Sequence, residues 1–420
     1  MHDHFGEPLR RWRQVEEEVR AVLEAFGYTE FRTPALERIE VFSHSVGEAT
    51  DIVEKQMYTV LDRAEQPDRE PETLVLRPEG TAPFVRALVE HRLTDPGHPL
   101  RYYYYLPMFR YERPQKGRLR QFHQFGAELV NDPSPEADAE LVLLLAEIYR
   151  CFGISEYEIR VNSVGDAECR PPYKEKLVAY FRGHFGKLCP QCVARLERAP
   201  MRILDCKNEA CRELARDAPM LLDHLSQASK SHHEAVKARL SEAGLKFIED
   251  PHIVRGLDYY CKTAFEFTSP LLGAQSALGG GGRYDGLSER FGGRPFPAVG
   301  WALGMERLML ALEAMRPMVL PPDGPRVFLA PLGDEAFARL YPLALELRRE
   351  GVRAEMSYDR SKGLKWLLKQ ADRLGARFAL IVGSDELAAG TAILKDMKAG
   401  TQTTMPHAEA LAKVKEAHDN

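Results

Sequence analysis

The stretch Phe109-Arg110-Tyr111-Glu112-Arg113-Pro114-Gln115-Lys116-Gly117-Arg118-Leu119-Arg120-Gln121-Phe122-His123-Gln124-Phe125-Gly126-Ala127-Glu128 decides the fold. Its period-2 pattern predicts a hairpin of two strands joined by a basic loop at Arg113-Pro114-Gln115-Lys116-Gly117. Successive strand residues point to opposite faces, so Arg110, Glu112, Phe122, Gln124 and Glu128 share one face. That face carries a cation, two carboxylates, an amide and an aromatic ring. Buried charge is costly without a partner, so a half-buried sheet face loaded in this way is built to meet a ligand. Arg110 can fork onto a phosphate and Phe122 can stack on a flat base. Gln124 and Glu128 can hydrogen-bond a small polar ligand that carries amine or imidazole protons. A nucleotide together with an amino acid fits that set. Gly126, between them, either leaves a gap for a ligand against the backbone or marks a bulge.

Outside this stretch, composition sets bounds. A chain of 420 residues holds two to four domains at about 100–200 residues each. Charged residues make up 28% but the net charge is only -5, so any contact with nucleic acid has to come from local basic patches. The first residues, Met1 to Glu7, lack the basic-then-apolar order of a secretory signal. No apolar run approaches the roughly 20 residues of a membrane helix. Seven cysteines, an odd number, argue against a secreted disulfide framework and for a cytoplasmic protein.

Along the chain, Trp12, Val15, Val19, Val22, Leu23 and Phe26 recur at helical spacing and Gly27 follows as a stop, which predicts an opening amphipathic helix. Phe31 to Glu37 reads as extended, marked by Pro34. Leu74-Val75-Leu76-Arg77-Pro78-Glu79-Gly80-Thr81 predicts a strand running into a turn and a helix, with Thr81 a candidate N-cap and Glu79 a carboxylate at the positive helix end. Between about 171 and 249 the texture turns helical and rich in Lys, Arg and Glu. Within it, Cys189, Cys192, Cys206 and Cys211 offer four thiolates. The first pair has the usual two-residue gap of a zinc site, while the four-residue gap of the second leaves reduced thiols or a disulfide open beside structural zinc.

Prolines 317, 321, 322 and 325 with Gly324 mark a linker. Beyond it, strands at 327–330, 376–382 and 391–394 alternate with helices, one carrying Leu364, Leu367, Leu368, Ala371 and Leu374 as its apolar stripe, and predict a small α/β domain with a mixed sheet. On that helix Lys365, Lys369 and Arg373 fall at i, i+4, i+8 behind Arg360 and Lys362, either a solvated face or a phosphate-binding stripe. Gly279-Gly280-Gly281-Gly282 lacks the lysine and Ser/Thr of a Walker loop, so these glycines predict close backbone approach instead.

Phe-Arg-x-Glu, a basic loop and a return strand resemble motif 2 of class II aminoacyl-tRNA synthetases. The wording at 110–118 is similar to that of the histidyl-tRNA synthetase family. Arg255-Gly256-Leu257-Asp258-Tyr259-Tyr260 and Leu278 to Asp285 resemble the two segments peculiar to that family, and Gly300 to Arg307 resembles class II motif 3. The resemblance implies an α+β class II synthetase catalytic domain, an antiparallel sheet flanked by helices, with a helical insertion domain and a C-terminal α/β anticodon-binding domain. The catalytic domain would occupy 1–170 and 250–320, the insertion 171–249 and the C-terminal domain 326–420.

The implied activity is ligation of L-histidine to tRNA(His) through an ATP-dependent histidyl-adenylate, then transfer to the 3′-terminal ribose. The partners implied are ATP with Mg²⁺, L-histidine, tRNA(His) and a second copy of the chain through the segment around Pro34. The resemblance implies that Glu79, Thr81 and Gln124 hold the amino group of histidine, and that Glu128 and Tyr260, with Tyr259, serve its imidazole. It places ATP on Arg110, Glu112, Phe122 and Arg307, with support from Arg283. Arg255, Arg110 and Gln124 are the catalytic candidates, and Arg113, Gln115 and Arg120 would meet the tRNA acceptor end. The alternative is a silent paralogue acting as a regulatory subunit of ATP phosphoribosyltransferase, against which stand Arg255 and a full C-terminal domain.

Overall fold

The computed structural model describes residues 3–46, 53, 56–61, 73–94, 97–204, 206, 208–253, 259–273, 276–315, 320 and 323–416. Arg255 and its neighbours 254–258 lie outside the described residues, as does part of the proline-marked linker. The chain divides into two compact units, Met1–Met318 and Val319–Asn420.

In the first unit the strands are β1 (Thr29–Glu30), β2 (Leu36–Arg38), β3 (Tyr58–Leu61), β4 (Thr73–Leu76), β5 (Leu100–Phe109), β6 (Gln121–Val130), β7 (Glu158–Ser163), β8 (Ile248–Glu249), β9 (Cys261–Thr268), β10 (Ala277–Arg283) and β11 (Ala298–Gly304). Its helices are α1 (Gly6–Ala25), α2 (Ile39–Val46), α3 (Thr81–Glu90), α4 (Pro135–Cys151), α5 (Arg170–Gly183), α6 (Pro190–Arg198), α7 (Glu209–Arg216), α8 (Gln227–Glu242) and α9 (Met305–Met315). Eight strands form one sheet in the order β1-β5-β6-β11-β10-β9-β7-β8, antiparallel from β5 to β7 and closed at each edge by a two-residue strand running parallel to its neighbour. A smaller antiparallel sheet, β2-β4-β3, lies beside it in sequence.

The hairpin expected from the sequence is β5 and β6, in a register that pairs Phe109 with Gln121, Leu106 with Gln124 and Tyr102 with Glu128. Its connection is longer than the five residues predicted. The ladder stops at Phe109 and resumes at Gln121, with a single inner bridge between Gln115 and Arg118. Arg110 keeps one backbone tie, its N–H donating to the Arg120 carbonyl at 2.9 Å, but Glu112 has left the strand. The period-2 reading holds along β6. Tyr103, Phe125, Ala127 and Leu129 enter the main core with α1, α4 and α9, whereas Tyr104, Leu106, Met108 and Phe122 cluster on the other face.

The helices are where apolar spacing puts them. Trp12, Val15, Val19 and Leu23 of α1 are buried at i, i+3, i+4 intervals. The α4 helix opens with Ser134 as N-cap, Pro135 in its first turn and Glu136 and Asp138 at the positive end. The segment 171–249 is helical from α5 to α8, but its last part is not separate from the sheet. Val236 and Leu240 of α8 join the main core, and β8 pairs with β7.

In the second unit β12 (Val327–Pro331), β13 (Ala354–Met356), β14 (Phe378–Val382), β15 (Thr391–Asp396) and β16 (Gln402–Pro406) form a sheet in the order β13-β12-β14-β15-β16. Its first pairings are parallel and its last two antiparallel. Helices α10 (Asp334–Arg349), α11 (Leu364–Arg373), α12 (Ser384–Ala389) and α13 (His407–Glu416) complete it. On α11 the expected stripe is narrower than its spacing implied. Leu367 and Ala371 are buried, but Leu364 and Leu374 stay exposed at the ends. No helix among the described residues is long and apolar enough to cross a membrane.

Candidate active site

A cleft of about 250 Å³ opens on the face of the main sheet that carries Phe122 and Gln124. It collects Glu79, Gly80 and Thr81 from the start of α3, Tyr104 from β5, Arg110, Glu112 and Arg118 from the hairpin connection, and Phe122 and Gln124 from β6. Tyr259, Tyr260, Glu266, Tyr284, Glu306 and Arg307 line it from the later strands and α9. Nine of the sequence-predicted residues therefore share one cavity: Glu79, Thr81, Arg110, Glu112, Phe122, Gln124, Tyr259, Tyr260 and Arg307.

The cleft has two chemically distinct ends. At one end polar groups are fixed by hydrogen bonds. The Glu79 carboxylate accepts the backbone N–H groups of Thr81 at 2.7 Å and Ala82 at 2.8 Å, so it caps α3 and lines the cleft at once. Thr81 is not the N-cap, and its hydroxyl donates instead to Glu128 at 2.9 Å. Glu128 is fully buried and does not line the cleft. It sits one layer below, accepting also from the hydroxyls of Tyr104 at 3.2 Å and Tyr284 at 2.5 Å. Burial, with Glu79 close by, pushes its carboxyl up to about 8 despite those three donors. Gln124 Oε1 is buried with no hydrogen-bond partner among the described residues, an acceptor aimed at a donor the protein does not supply.

Two glycines make this floor. A Cβ on Gly300 would collide with the Glu128 carboxylate, so β11 needs glycine opposite it. A Cβ on Gly126 would strike the Tyr104 ring. The gap expected at Gly126 is thus filled by Tyr104 from within, not left for a ligand.

At the other end three guanidiniums converge. Arg110 donates from Nε to the Pro78 carbonyl at 2.8 Å and lies over the Phe122 ring, 5.2 Å from its centroid. Arg307 donates to the carbonyls of Gly117 at 3.1 Å and Ala277 at 2.7 Å, tying the hairpin connection to β10. Arg118 faces Glu112 at 3.6 Å. Burial depresses the pKa of Arg307, and repulsion from Arg118 and Arg110 lowers it further. Arg110 is depressed chiefly by burial. Cations gathered against mutual repulsion mark a place for a polyanion.

Other predicted residues lie elsewhere. Arg283 is not in the cleft. It is fully buried on the far side, where Nε donates to Asp138 at 2.9 Å and Nη1 to Asp285 at 3.1 Å, with further bonds to the Asp132 and Ser134 carbonyls. This arginine holds α4 to the sheet. Arg113 and Gln115 are exposed on the hairpin connection, and Gln115 borders a second cavity of about 810 Å³ between that connection, α1 and α9. Arg120 stacks its guanidinium 4.6 Å from the Tyr111 ring centroid.

Sequence reasoning missed Tyr104, Tyr284, Arg118, Glu266 and Glu306. Tyr104 was within reach, because continuing the period-2 face back along β5 passes through it. Glu306 required the fold: from the first turn of α9 its carboxylate accepts the His123 backbone N–H at 2.9 Å. Arg77 was also missed. It is buried, donating to the carbonyls of Pro107 at 2.9 Å, Thr33 at 2.6 Å and Pro34 at 2.8 Å, and burial draws its pKa down to about 10 although Glu37 nearby pulls the other way.

An antiparallel sheet whose central hairpin carries a polyanion end beside a polar end is the catalytic fold of class II aminoacyl-tRNA synthetases. The comparisons with known proteins narrow the class. A family model described as histidyl-tRNA synthetase matches residues 1–308, and one described as anticodon binding domain matches 326–417. The chain belongs to the histidyl-tRNA synthetase family. Over 394 residues it is 44% identical to the histidine–tRNA ligase of Desulforamulus reducens, covering 94% of this chain and 92% of that relative. The crystal structure of apo S. aureus histidyl-tRNA synthetase superposes with a TM-score of 0.82 at 35% identity, covering 98% of this chain and 97% of that one. A Bacillus halodurans structure titled as an ATP phosphoribosyltransferase regulatory subunit/histidyl-tRNA synthetase shares the fold, with a TM-score of 0.61 at 23% identity over 91% of this chain and 97% of that one.

Proposed function

We propose that this protein ligates L-histidine to tRNA(His), using ATP as its magnesium complex. The observation that carries the reading is the pairing, in one cleft, of a hydrogen-bonded carboxylate and hydroxyl end with three converging arginines. The first end suits a histidine, the second a triphosphate. The histidine ammonium lies against Glu79, Thr81 and the unpartnered Gln124 oxygen. Glu128, one layer below, fixes the Thr81, Tyr104 and Tyr284 hydroxyls that line the imidazole end, and Tyr260 with Tyr259 serves the ring nitrogens. A site that satisfies both ring nitrogens leaves buried groups unpaired when another side chain enters, which supports discrimination of about 10⁴ or more.

The adenine stacks on Phe122, Arg110 takes the α-phosphate, Glu112 sits at the adenine or at a metal-bound water, and Arg307 with Arg118 receives the outer phosphates. The histidine carboxylate is ionised at neutral pH and needs no base. As it attacks the α-phosphorus, negative charge gathers on the non-bridging oxygens, where Arg110 and Arg255 lower the barrier. Pyrophosphate leaves toward Arg307. In the second step the 3′-hydroxyl of tRNA attacks the adenylate carbonyl, the mixed-anhydride bond breaks and AMP leaves, with Gln124 positioning the reactants and the phosphate oxygen of the adenylate able to take the proton.

Arg113, Gln115 and Arg120 are the candidates to meet the acceptor end, since Arg and Gln can contact phosphates and base edges. In the C-terminal unit Lys365, Lys369 and Arg373 are exposed along one face of α11 and suit the anticodon stem. We assign 1–170 and 250–320 to the catalytic domain, 171–249 to an insertion and 326–420 to the anticodon-binding domain, in a cytoplasmic homodimer. The test is charging: radiolabelled histidine transferred to tRNA(His) in the presence of ATP and Mg²⁺ supports the reading. Histidine binding without charging, together with stimulation of an ATP phosphoribosyltransferase, would replace it with the regulatory alternative.

A further inference from the structure

The four cysteines of the segment 189–211 do not take part in the synthetase chemistry, yet the fold brings them together. Cys189 stands at the N-cap of α6, Cys192 in its first turn, Cys206 before α7 and Cys211 within α7. Their sulfurs all lie within 4.8 Å of one another, and Cys189 and Cys206 are 3.9 Å apart. Four thiolates around one zinc at about 2.3 Å sit at tetrahedral corners, hence about 3.8 Å from each other. A disulfide needs about 2.05 Å, and bonding two pairs would break the fourfold grouping. A cubane iron–sulfur cluster would spread its cysteines wider than this.

Two further observations point to a metal. The sulfurs accept backbone N–H groups as thiolates do: Cys211 Sγ from Cys189 at 3.2 Å and Cys206 Sγ from Asn208 at 3.4 Å. The helices of the segment are also short. Helices α6 and α7 have nine and eight residues, below the roughly 12–15 at which an isolated helix becomes even marginal in water. Between them Leu196, Met201, Ile203 and Leu204 are buried in the same core cluster as Tyr173, Leu177 and Phe181 of α5, packing to which a bound metal would add.

We infer that Cys189, Cys192, Cys206 and Cys211 bind one structural zinc ion that staples α6 and α7 together. The inference is independent of the aminoacylation reading, because it concerns the folding of this segment and not the cleft. Full-length protein, purified without added metal or chelator and measured by inductively coupled plasma mass spectrometry, is expected to carry one zinc per chain. Replacing zinc with Co²⁺ should give the thiolate charge-transfer and tetrahedral d–d bands of a four-sulfur site. A Cys206→Ser/Cys211→Ser variant should lose the metal, and Cys151→Ser, at an exposed site away from the cluster, should keep it. Should the double variant fail to fold, metal content and the cobalt spectrum of the unaltered chain decide. Metal-free protein with four titratable thiols in this segment, or a disulfide there by mass under non-reducing conditions, would overturn the inference.

Discussion

Replacing Glu128 with glutamine tests the floor of the cleft without destroying it. The amide keeps the carboxylate's shape. Its oxygen can take the Oε1 position, where Thr81 and Tyr104 donate, and its NH₂ the Oε2 position, where the Tyr284 hydroxyl can turn to accept. What is lost is charge. A hydrogen bond to an ionised partner contributes about 1.5–3 kcal/mol, so loosening the cleft-lining hydroxyls that Glu128 orients should weaken histidine binding about 10- to 150-fold. Calorimetry should show that loss for histidine and unchanged affinity for ATP.

The pH dependence carries the sign of the argument. Burial raises Glu128 to about 8, against about 4.3 for a free glutamate. Its contribution to the stability of the unliganded protein is therefore complete below about pH 4.3 and is lost as pH rises through about 8, by up to about 1.4 kcal/mol per pH unit. Histidine affinity should move the opposite way over the upper part of that range. The ionised carboxylate is the stronger acceptor for the three hydroxyls it orients toward histidine, so affinity climbs from pH 7 toward about 8 and then levels. Both limbs should vanish in Glu128→Gln. Histidine affinity that holds while ATP affinity falls, or a pH profile that survives the substitution, would refute this account of the floor.

Arg255→Ala should depress adenylate formation on the order of 10²–10³-fold with little change in histidine affinity, because its contact strengthens as charge develops on phosphorus; single-turnover kinetics beside histidine titration would separate the two. Arg283→Met should cost about 3–5 kcal/mol in denaturant unfolding by leaving the buried Asp138 without its guanidinium and with only His232 facing it among the described residues, while the KM for ATP of the folded fraction stays unchanged. A shifted KM would return Arg283 to the nucleotide site. Neutralising Lys365, Lys369 and Arg373 together should raise the KM for tRNA and flatten its salt dependence without altering pyrophosphate exchange.

The sequence made the chemistry of the hairpin face legible because strand periodicity dictates which residues share a face, whatever the rest of the chain does. It also separated the C-terminal α/β unit, whose strands and linker are local signals. What escaped depends on partners distant in sequence. Gly126 announced a close approach but not that Tyr104, 22 residues earlier, makes it. Arg283 sits in a block that resembles a ligand-binding signature, yet Asp138, 145 positions away, claims its guanidinium. Glu128 is on the predicted face, but only the packing of Thr81, Tyr104 and Tyr284 sets it a layer below the cleft. The exposed ends of the α11 stripe follow the same rule: spacing proposes an apolar face, and the width of the neighbouring sheet decides how much of it is covered.

The central claim is that this cleft activates histidine with ATP. ATP–pyrophosphate exchange, run on purified protein with Mg²⁺ and each of the twenty amino acids separately, tests it most directly. Exchange with histidine alone is the predicted result. Exchange with no amino acid, from protein that still binds histidine, would contradict the claim and leave a histidine-sensing paralogue in its place.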